Sequence, residues 1–224
     1  MDDSVASTPW REGHWNAVHL GGDEKTRSWY QSEPVLTLKL LDELGVGPDD
    51  ATIDVGGGES NLVDHLLARN FSDVTVLDVS SEAIATARRR VGSGRRVTWL
   101  VQDLLTWKSE RLYDVWHDRA VFHFLSEREI DVYQSLLLRT LAPHGVVIVA
   151  TFATDGPQYC SGLPVRRYGV HELIDALGPT FELVTSAHET HLTPSGTEQA
   201  FTWVGARRSE NHEPPVAQKH VPTS

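Results

Sequence analysis

Ala51-Thr52-Ile53-Asp54-Val55-Gly56-Gly57-Gly58-Glu59-Ser60-Asn61 is an apolar run that breaks into three glycines and then resumes as a helix-like segment. It reads as a buried strand, a tight turn and a helix, and glycines at such a turn let the backbone approach a nucleotide-like ligand because no Cβ intervenes. About 20 residues further on, a second apolar run, Val74-Thr75-Val76-Leu77, ends in Asp78, where folds of this kind place the carboxylate that grips ribose hydroxyls.

Glycine spacing separates the cofactors that use this geometry. The dinucleotide fingerprint G-x-G-x-x-G requires glycine where this chain has Asn61, which weakens a nicotinamide cofactor. The D/E-x-G-x-G-x-G loop of S-adenosylmethionine enzymes is met by Asp54, Gly56 and Gly58, with Ser60 in the last glycine position.

The strand and helix alternation continues along the chain. Arg96–Val101 reads as a third strand, ending in Gln102-Asp103-Leu104, a polar pair placed to meet an adenine edge. Leu112–Asp118 reads as a fourth strand, and Glu127–Leu141 carries apolar residues at helical spacing. Pro143-His144-Gly145 then turns the chain into Val146–Ala150, a continuous apolar run suited to a strand buried on both faces. After a helix over Gly169–Leu177, Phe181–Thr185 and Gln199–Ala206 alternate as strands joined by a turn around Pro194-Ser195-Gly196, a hairpin rather than another βαβ unit. The expected fold is α/β: a Rossmann-like, doubly wound, mostly parallel seven-stranded sheet with a C-terminal antiparallel hairpin.

Over roughly residues 12–208 the chain resembles a class I S-adenosylmethionine-dependent methyltransferase. The resemblance is closest to bacterial single-domain members, through His117-Asp118-Arg119-Ala120-Val121-Phe122-His123-Phe124-Leu125 and Cys160-Ser161-Gly162-Leu163-Pro164-Val165. With its tryptophan-rich N-terminal segment it is also similar to eukaryotic lysine methyltransferases of elongation factor and citrate synthase, although Asp118-Arg119-Ala120 stands where those carry Asp-Lys-Gly. The resemblance implies cofactor contacts at Trp29, Tyr30, Asp54, Gly56, Gly58, Ser60, Asp78, Val79, Gln102, Asp103, Leu104 and His117, with Asp78 on the ribose and Asp103 on the adenine. Trp29, Tyr30 and Gln31 are expected near the methionine end, in a segment that either folds over the cofactor as a lid or packs on the sheet edge.

Composition bounds the remainder. A chain of 224 residues with 40% hydrophobic content buries an adequate core as one domain. One cysteine excludes an internal disulfide and fits a reducing cytoplasm, and no signal peptide or long apolar run points to a membrane. A net charge of −11 makes nucleic acid an improbable partner; the basic cluster Arg88-Arg89-Arg90 with Arg95-Arg96 reads as the solvated end of a helix. Residues 1–11 and 209–224 read as flexible termini.

In an open α/β sheet, ligands sit beyond the carboxyl ends of the strands. His117 is a candidate base or a hydrogen-bonded pocket histidine. Asp118 is an acceptor anchor, a partner for Arg119 or a helix N-cap. His123 is expected to face the core, and Cys160 is either a small hydrophobe or a thiolate stabilised by Arg166 or Arg167. His188 and His191 fall on opposite faces of a strand, so no metal site is expected. These readings converge on a methyltransferase acting on a small molecule, with thiol or carboxylate acceptors favoured. A protein lysine methyltransferase and a non-catalytic S-adenosylmethionine-binding regulator are the alternatives; oligomeric state is left open.

Overall fold

The computed structural model describes residues 9–20, 22–92 and 97–209. The expectations for residues 1–8, Arg95, Arg96 and 210–224 lie outside these. The chain opens with helix α1 (Pro9–Leu20), which begins ahead of the expected domain boundary at residue 12, a short 3-10 turn at Glu24–Thr26, and α2 (Val35–Glu43). There follow β1 (Thr52–Val55), α3 (Leu62–Ala68), β2 (Val74–Asp78), α4 (Ser81–Val91), β3 (Val97–Val101) and β4 (Tyr113–Arg119). The second half comprises α5 (Glu127–Thr140), β5 (Leu141–Phe152), the ribbon strands β6 (Tyr159–Cys160) and β7 (Leu163–Pro164), α6 (Val170–Leu177), β8 (Phe181–Leu192) and β9 (Glu198–Arg208).

Seven strands form one sheet in the order β3-β2-β1-β4-β5-β9-β8. The first five are parallel, and β9 is antiparallel to both β5 and β8. Strand order reverses at β1, whose two neighbours are β2 and β4, and such a switch point opens a crevice at the strands' carboxyl ends. The expected doubly wound sheet with a terminal hairpin is therefore the observed one.

Both faces are covered. Ile53, Val55, Trp116, Val147 and Val204 pack with Tyr133 and Leu137 of α5 and Leu173 of α6, while Val74, Val76, Val115, Ile148 and Trp203 pack with Leu38 and Leu41 of α2, Leu66 of α3 and Ile84 of α4. This two-sided burial explains the uninterrupted apolar runs of β1, β2 and β5.

Three local features differ from the sequence reading. Pro143-His144-Gly145 is not a turn ahead of the strand but an irregularity within β5, between the pairs Tyr113–Leu141 and Val115–Val146, with His144 at φ +63°. The hairpin strands are longer than their alternating segments. Register-matched pairs run from Phe181–Arg208 to Leu192–Glu198, because pairing continues into the polar stretch His188–His191. The loop around Cys160 is a small antiparallel ribbon, Tyr159 opposite Pro164 and Cys160 opposite Leu163.

Candidate active site

The glycine loop places the switch-point crevice. Gly56 has φ +67°, and a Cβ there would lie 2.2 Å from Val121 Cγ2, so only glycine lets β1 turn beneath the chain leaving β4. Gly58 has φ +31°, and its Cβ would meet Asp78 Oδ2 at 2.7 Å. The buried Asp78 carboxylate thus lies directly against the loop, with Oδ1 accepting the Ser80 N–H at 2.7 Å. Burial, opposed by that hydrogen bond, pushes its carboxyl up to about 6.

A cavity opens along the carboxyl ends of these strands. Asp54, Gly56, Gly58 and Ser60 form its floor, Asp78 and Val79 one end, and Gln102, Asp103 and Leu104 the wall beyond. Trp29, Tyr30, His117 and Cys160 also line it. Every residue expected to touch cofactor therefore borders one space. The fit to S-adenosylmethionine rests on the glycine cradle that any side chain would fill and on the buried Asp78 carboxylate seated against it at the end of β2. Asp103 Oδ2 lies 3.6 Å from Arg11 Nη1, so α1 closes over the wall formed by Gln102, Asp103 and Leu104.

Strand alternation sorts the residues after β4. His117 faces α2: its Nδ1 is 2.7 Å from Asp54 Oδ1 and its Nε2 is 3.2 Å from Thr37 Oγ1. Asp118 points to the opposite face and does not line the cavity. Its Oδ1 accepts N–H groups of Val121 at 2.9 Å and Phe122 at 3.3 Å, and its Oδ2 accepts Tyr133 O–H at 3.0 Å. Asp118 is not itself the N-cap of the 3-10 turn Phe122–Phe124, a position held by Val121, but its side chain accepts the first N–H groups of that turn. Burial, against those three donors, pushes its carboxyl up to about 6.

Arg119 returns to the cavity side. Its Nη1 donates to Trp29 O at 3.1 Å and its guanidinium sits 4.8 Å from the Phe201 ring centroid. Cys160 is enclosed, and burial raises its thiol, with Ser161 and Arg119 opposing. Arg166 and Arg167 do not supply the expected activation: Arg166 lies over Tyr168 and near Glu127, and Arg167 donates to Gly156 O. His123 is fully buried, and burial reinforced by the Arg119 charge drives its imidazole down to about 3. His188 is exposed beside Asp155 whereas His191 is buried against Ser28 O, on opposite faces of β8.

The N-terminal segment is stitched over this face. His191 Nε2 contacts Ser28 O at 2.8 Å, Arg119 holds Trp29 O, and Gln31 Nε2 donates to Glu189 Oε1 at 3.0 Å. Glu189 Oε2 also accepts Trp203 Nε1–H at 2.9 Å. Trp15 of α1 packs edge-on to Phe124 at 5.3 Å. Behind the glycine loop, Glu59 Oε2 lies 3.0 Å from His19 Nδ1 and 3.5 Å from Arg27 Nε. Burial raises the Glu59 carboxyl, but the His19 hydrogen bond and the Arg27 guanidinium bring it below the usual carboxylate range. Arg90 is not simply solvated: it donates to Glu59 O at 3.1 Å and Ser60 O at 2.6 Å, while Arg88 and Arg89 are exposed. Sequence reasoning did not find Arg11, His19, Glu59, Arg27 or Glu189, which act across long separations that no local pattern encodes.

Residues 53–145 match the family described as Methyltransferase domain. Nodulation protein S of Rhizobium tropici is 33% identical over 110 residues, 49% of this chain and 46% of that protein. The chain spans about half the length of the curated relatives it matches, 46% and 50%. Among solved structures, one described as "Conversion of a Disulfide Bond into a Thioacetal Group during Echinomycin Biosynthesis" is similar with a TM-score of 0.71 and 18% identity, covering 90% of this chain and 93% of that one. The N-methyltransferase NodS of Bradyrhizobium japonicum WM9, in complex with S-adenosyl-L-homocysteine, is similar with a TM-score of 0.67 and 15% identity, covering 89% and 100%. The glycine loop, the strand order and the family match over residues 53–145 together make this chain similar to S-adenosylmethionine-dependent methyltransferases.

Proposed function

We propose that the protein transfers a methyl group from S-adenosylmethionine to a small-molecule acceptor, with thiols and carboxylic acids favoured. The observation that carries this reading is the buried Asp78 carboxylate seated against Gly58, between the Asp54 floor and the Gln102–Leu104 wall. S-adenosylmethionine supplies a sulfonium methyl that needs an aligned nucleophile more than elaborate catalytic machinery.

Two features support a small acceptor of low pKa. The cavity beyond the glycine loop is lined by Trp29, Tyr30, Val121, Phe124, Leu125 and Cys160, an apolar enclosure with few polar groups. The nearby histidines are committed or shielded: His19 faces the Glu59 carboxylate, His117 has partners at both ring nitrogens, His191 is engaged by Ser28 O, and His123 is held neutral. An amine or alcohol acceptor would need a free base, whereas a thiolate or carboxylate arrives as a nucleophile. On this reading Asp78 binds the ribose, Asp103 the adenine, and His117 positions Asp54 and the floor.

The alternatives of a protein lysine methyltransferase and a non-catalytic cofactor-binding regulator are separated by one experiment. The protein is incubated with methyl-labelled S-adenosylmethionine and a panel of small thiols, carboxylic acids and amines, beside a protein lysate. Label in thiols or acids supports the proposal. Label confined to protein lysine, or absent everywhere despite cofactor binding, contradicts it. A cytoplasmic location belongs to the same proposal; among the described residues no helix is long and apolar enough to cross a membrane.

A further inference from the structure

Arg119 carries a charge into an enclosed place where Glu189 and Asp54 attract it but no carboxylate is in hydrogen-bond contact with it. Two of its guanidinium nitrogens, Nε and Nη2, are shut off from water and have no hydrogen-bond partner, while Nη1 is held by Trp29 O. Leaving such donors unpaired costs on the order of 1–3 kcal/mol each, so the arrangement calls for an explanation. Nε and Nη2 are the pair along one edge of the guanidinium, the edge whose parallel N–H groups take both oxygens of a carboxylate.

The groups around this edge do not satisfy it. Glu189 attracts Arg119 electrostatically, but its two oxygens accept from Gln31 and Trp203. Asp54 is bonded to His117 through Oδ1, its Oδ2 has no hydrogen-bond partner and does not reach Arg119, and Cys160 is kept as a thiol by burial. His123 and His191 are pushed toward neutrality by burial and by Arg119 itself. Among the described residues, Arg119 is therefore a fixed, desolvated cation bordering the cavity with one bidentate edge unspent.

Its place across the sheet sets it apart from Asp78. Asp78 ends β2, whereas Arg119 ends β4, two strands away across β1, and its guanidinium reaches onward to Phe201 of β9. Two inter-strand spacings set the two chain positions roughly 10 Å apart. The unspent edge therefore lies on the side of β4 away from Asp78.

We propose that Arg119 is a specificity-determining residue that binds a carboxylate of the acceptor through Nε and Nη2. The inference rests on the methyltransferase reading and names its substrate class: small molecules bearing a carboxylate. A single guanidinium balances a monoanion, and the Phe201 ring below and the Trp29 carbonyl behind fix the plane of the fork. Since neither donor is open to water, the acceptor reaches them as the strap 28–31 lifts from His191 and Glu189.

The test uses the full-length protein saturated with S-adenosyl-L-homocysteine, titrated calorimetrically with small monocarboxylates from acetate to 3-phenylpropanoate, with 3-mercaptopropionate, and with the matching amides. At least one acid is expected to bind about tenfold or more tightly than its amide. Arg119→Met should abolish that preference, and Arg119→Lys, which keeps the charge but loses the fork, should retain only part of it. S-adenosyl-L-homocysteine affinity should fall by clearly less than about tenfold in both variants, because the Trp29 carbonyl loses a donor but no direct cofactor contact is removed. The inference is overturned if no acid outbinds its amide, if the preference survives Arg119→Met, or if both variants lose cofactor affinity about tenfold, which would assign the guanidinium to the cofactor. Failure of the wild-type chain to bind S-adenosyl-L-homocysteine is a separate result that overturns the methyltransferase reading itself.

Discussion

Asp54 Oδ1 and His117 Nδ1 lie 2.7 Å apart at register-matched positions of the neighbouring parallel strands β1 and β4. The pair is closed from above by Thr37 of α2, so the cavity floor, the central strands and the first covering helix share one buried polar chain. His117→Ala would strand the Asp54 carboxylate and the Thr37 hydroxyl inside the fold. We expect a loss of roughly 2–4 kcal/mol in urea-induced unfolding, and weaker cofactor binding. Because both ring nitrogens are already engaged, the pH profile of methyl transfer to a thiol should keep its shape in this variant; loss of its basic limb would instead make His117 the base.

Asp78 gives cofactor binding a pH dependence of known sign. Ribose hydroxyls donate to the ionised carboxylate, and the carboxyl of the unliganded protein titrates at about 6. Affinity for S-adenosyl-L-homocysteine should therefore fall as pH drops below 6, by up to about tenfold per unit. Asp78→Asn should bind more weakly at pH 8 and show a flat profile between pH 5 and 8. Titrations across that range check both.

Asp118 is pushed in the same direction for a structural rather than a ligand-binding reason. A carboxyl raised from 3.8 to about 6 contributes stability that is fully present below pH 3.8 and is lost as pH rises through 6. The ionised form thus costs the fold roughly 3 kcal/mol at neutral pH. Asp118→Asn keeps an acceptor for the Val121 and Phe122 N–H groups and removes the charge. Its stability relative to wild type should improve between pH 4 and pH 7, measured by chemical denaturation; an unchanged difference would contradict the buried charge.

What was legible in the sequence was the part governed by local rules. Gly56 and Gly58 betray the turn because no other residue fits there, and the alternation in 181–185 and 199–206 betrays the hairpin. The site was legible in membership but not in orientation. His117, Asp118 and Arg119 were all visible as residues ending a strand, yet pleating sends Asp118 to the α5 face and its two neighbours to the cavity. Cys160 was paired in expectation with Arg166 and Arg167, which are near in sequence, whereas its charged neighbour is Arg119, brought close by β4. The strap contacts Ser28–His191 and Gln31–Glu189 join residues more than 150 positions apart, and only the folded sheet reveals them.

Helix α1 covers the Asp103 side of the cavity without contributing a buried residue to the core. It offers Arg11 to Asp103 and Glu129, Asn16 to Ser80, and Trp15 to Phe124. Deleting residues 1–20 should leave the sheet folded by circular dichroism while weakening S-adenosyl-L-homocysteine about tenfold or more, since the lid's contacts and its exclusion of water are lost. Unchanged affinity would reduce α1 to a packing element.

The most direct test of the central claim is calorimetric titration of wild type and Asp78→Ala with S-adenosyl-L-homocysteine, beside NAD. The account predicts one site per chain for S-adenosyl-L-homocysteine, weakened about tenfold or more by Asp78→Ala, and no comparable heat with NAD. Tight NAD binding with no S-adenosyl-L-homocysteine heat would contradict it.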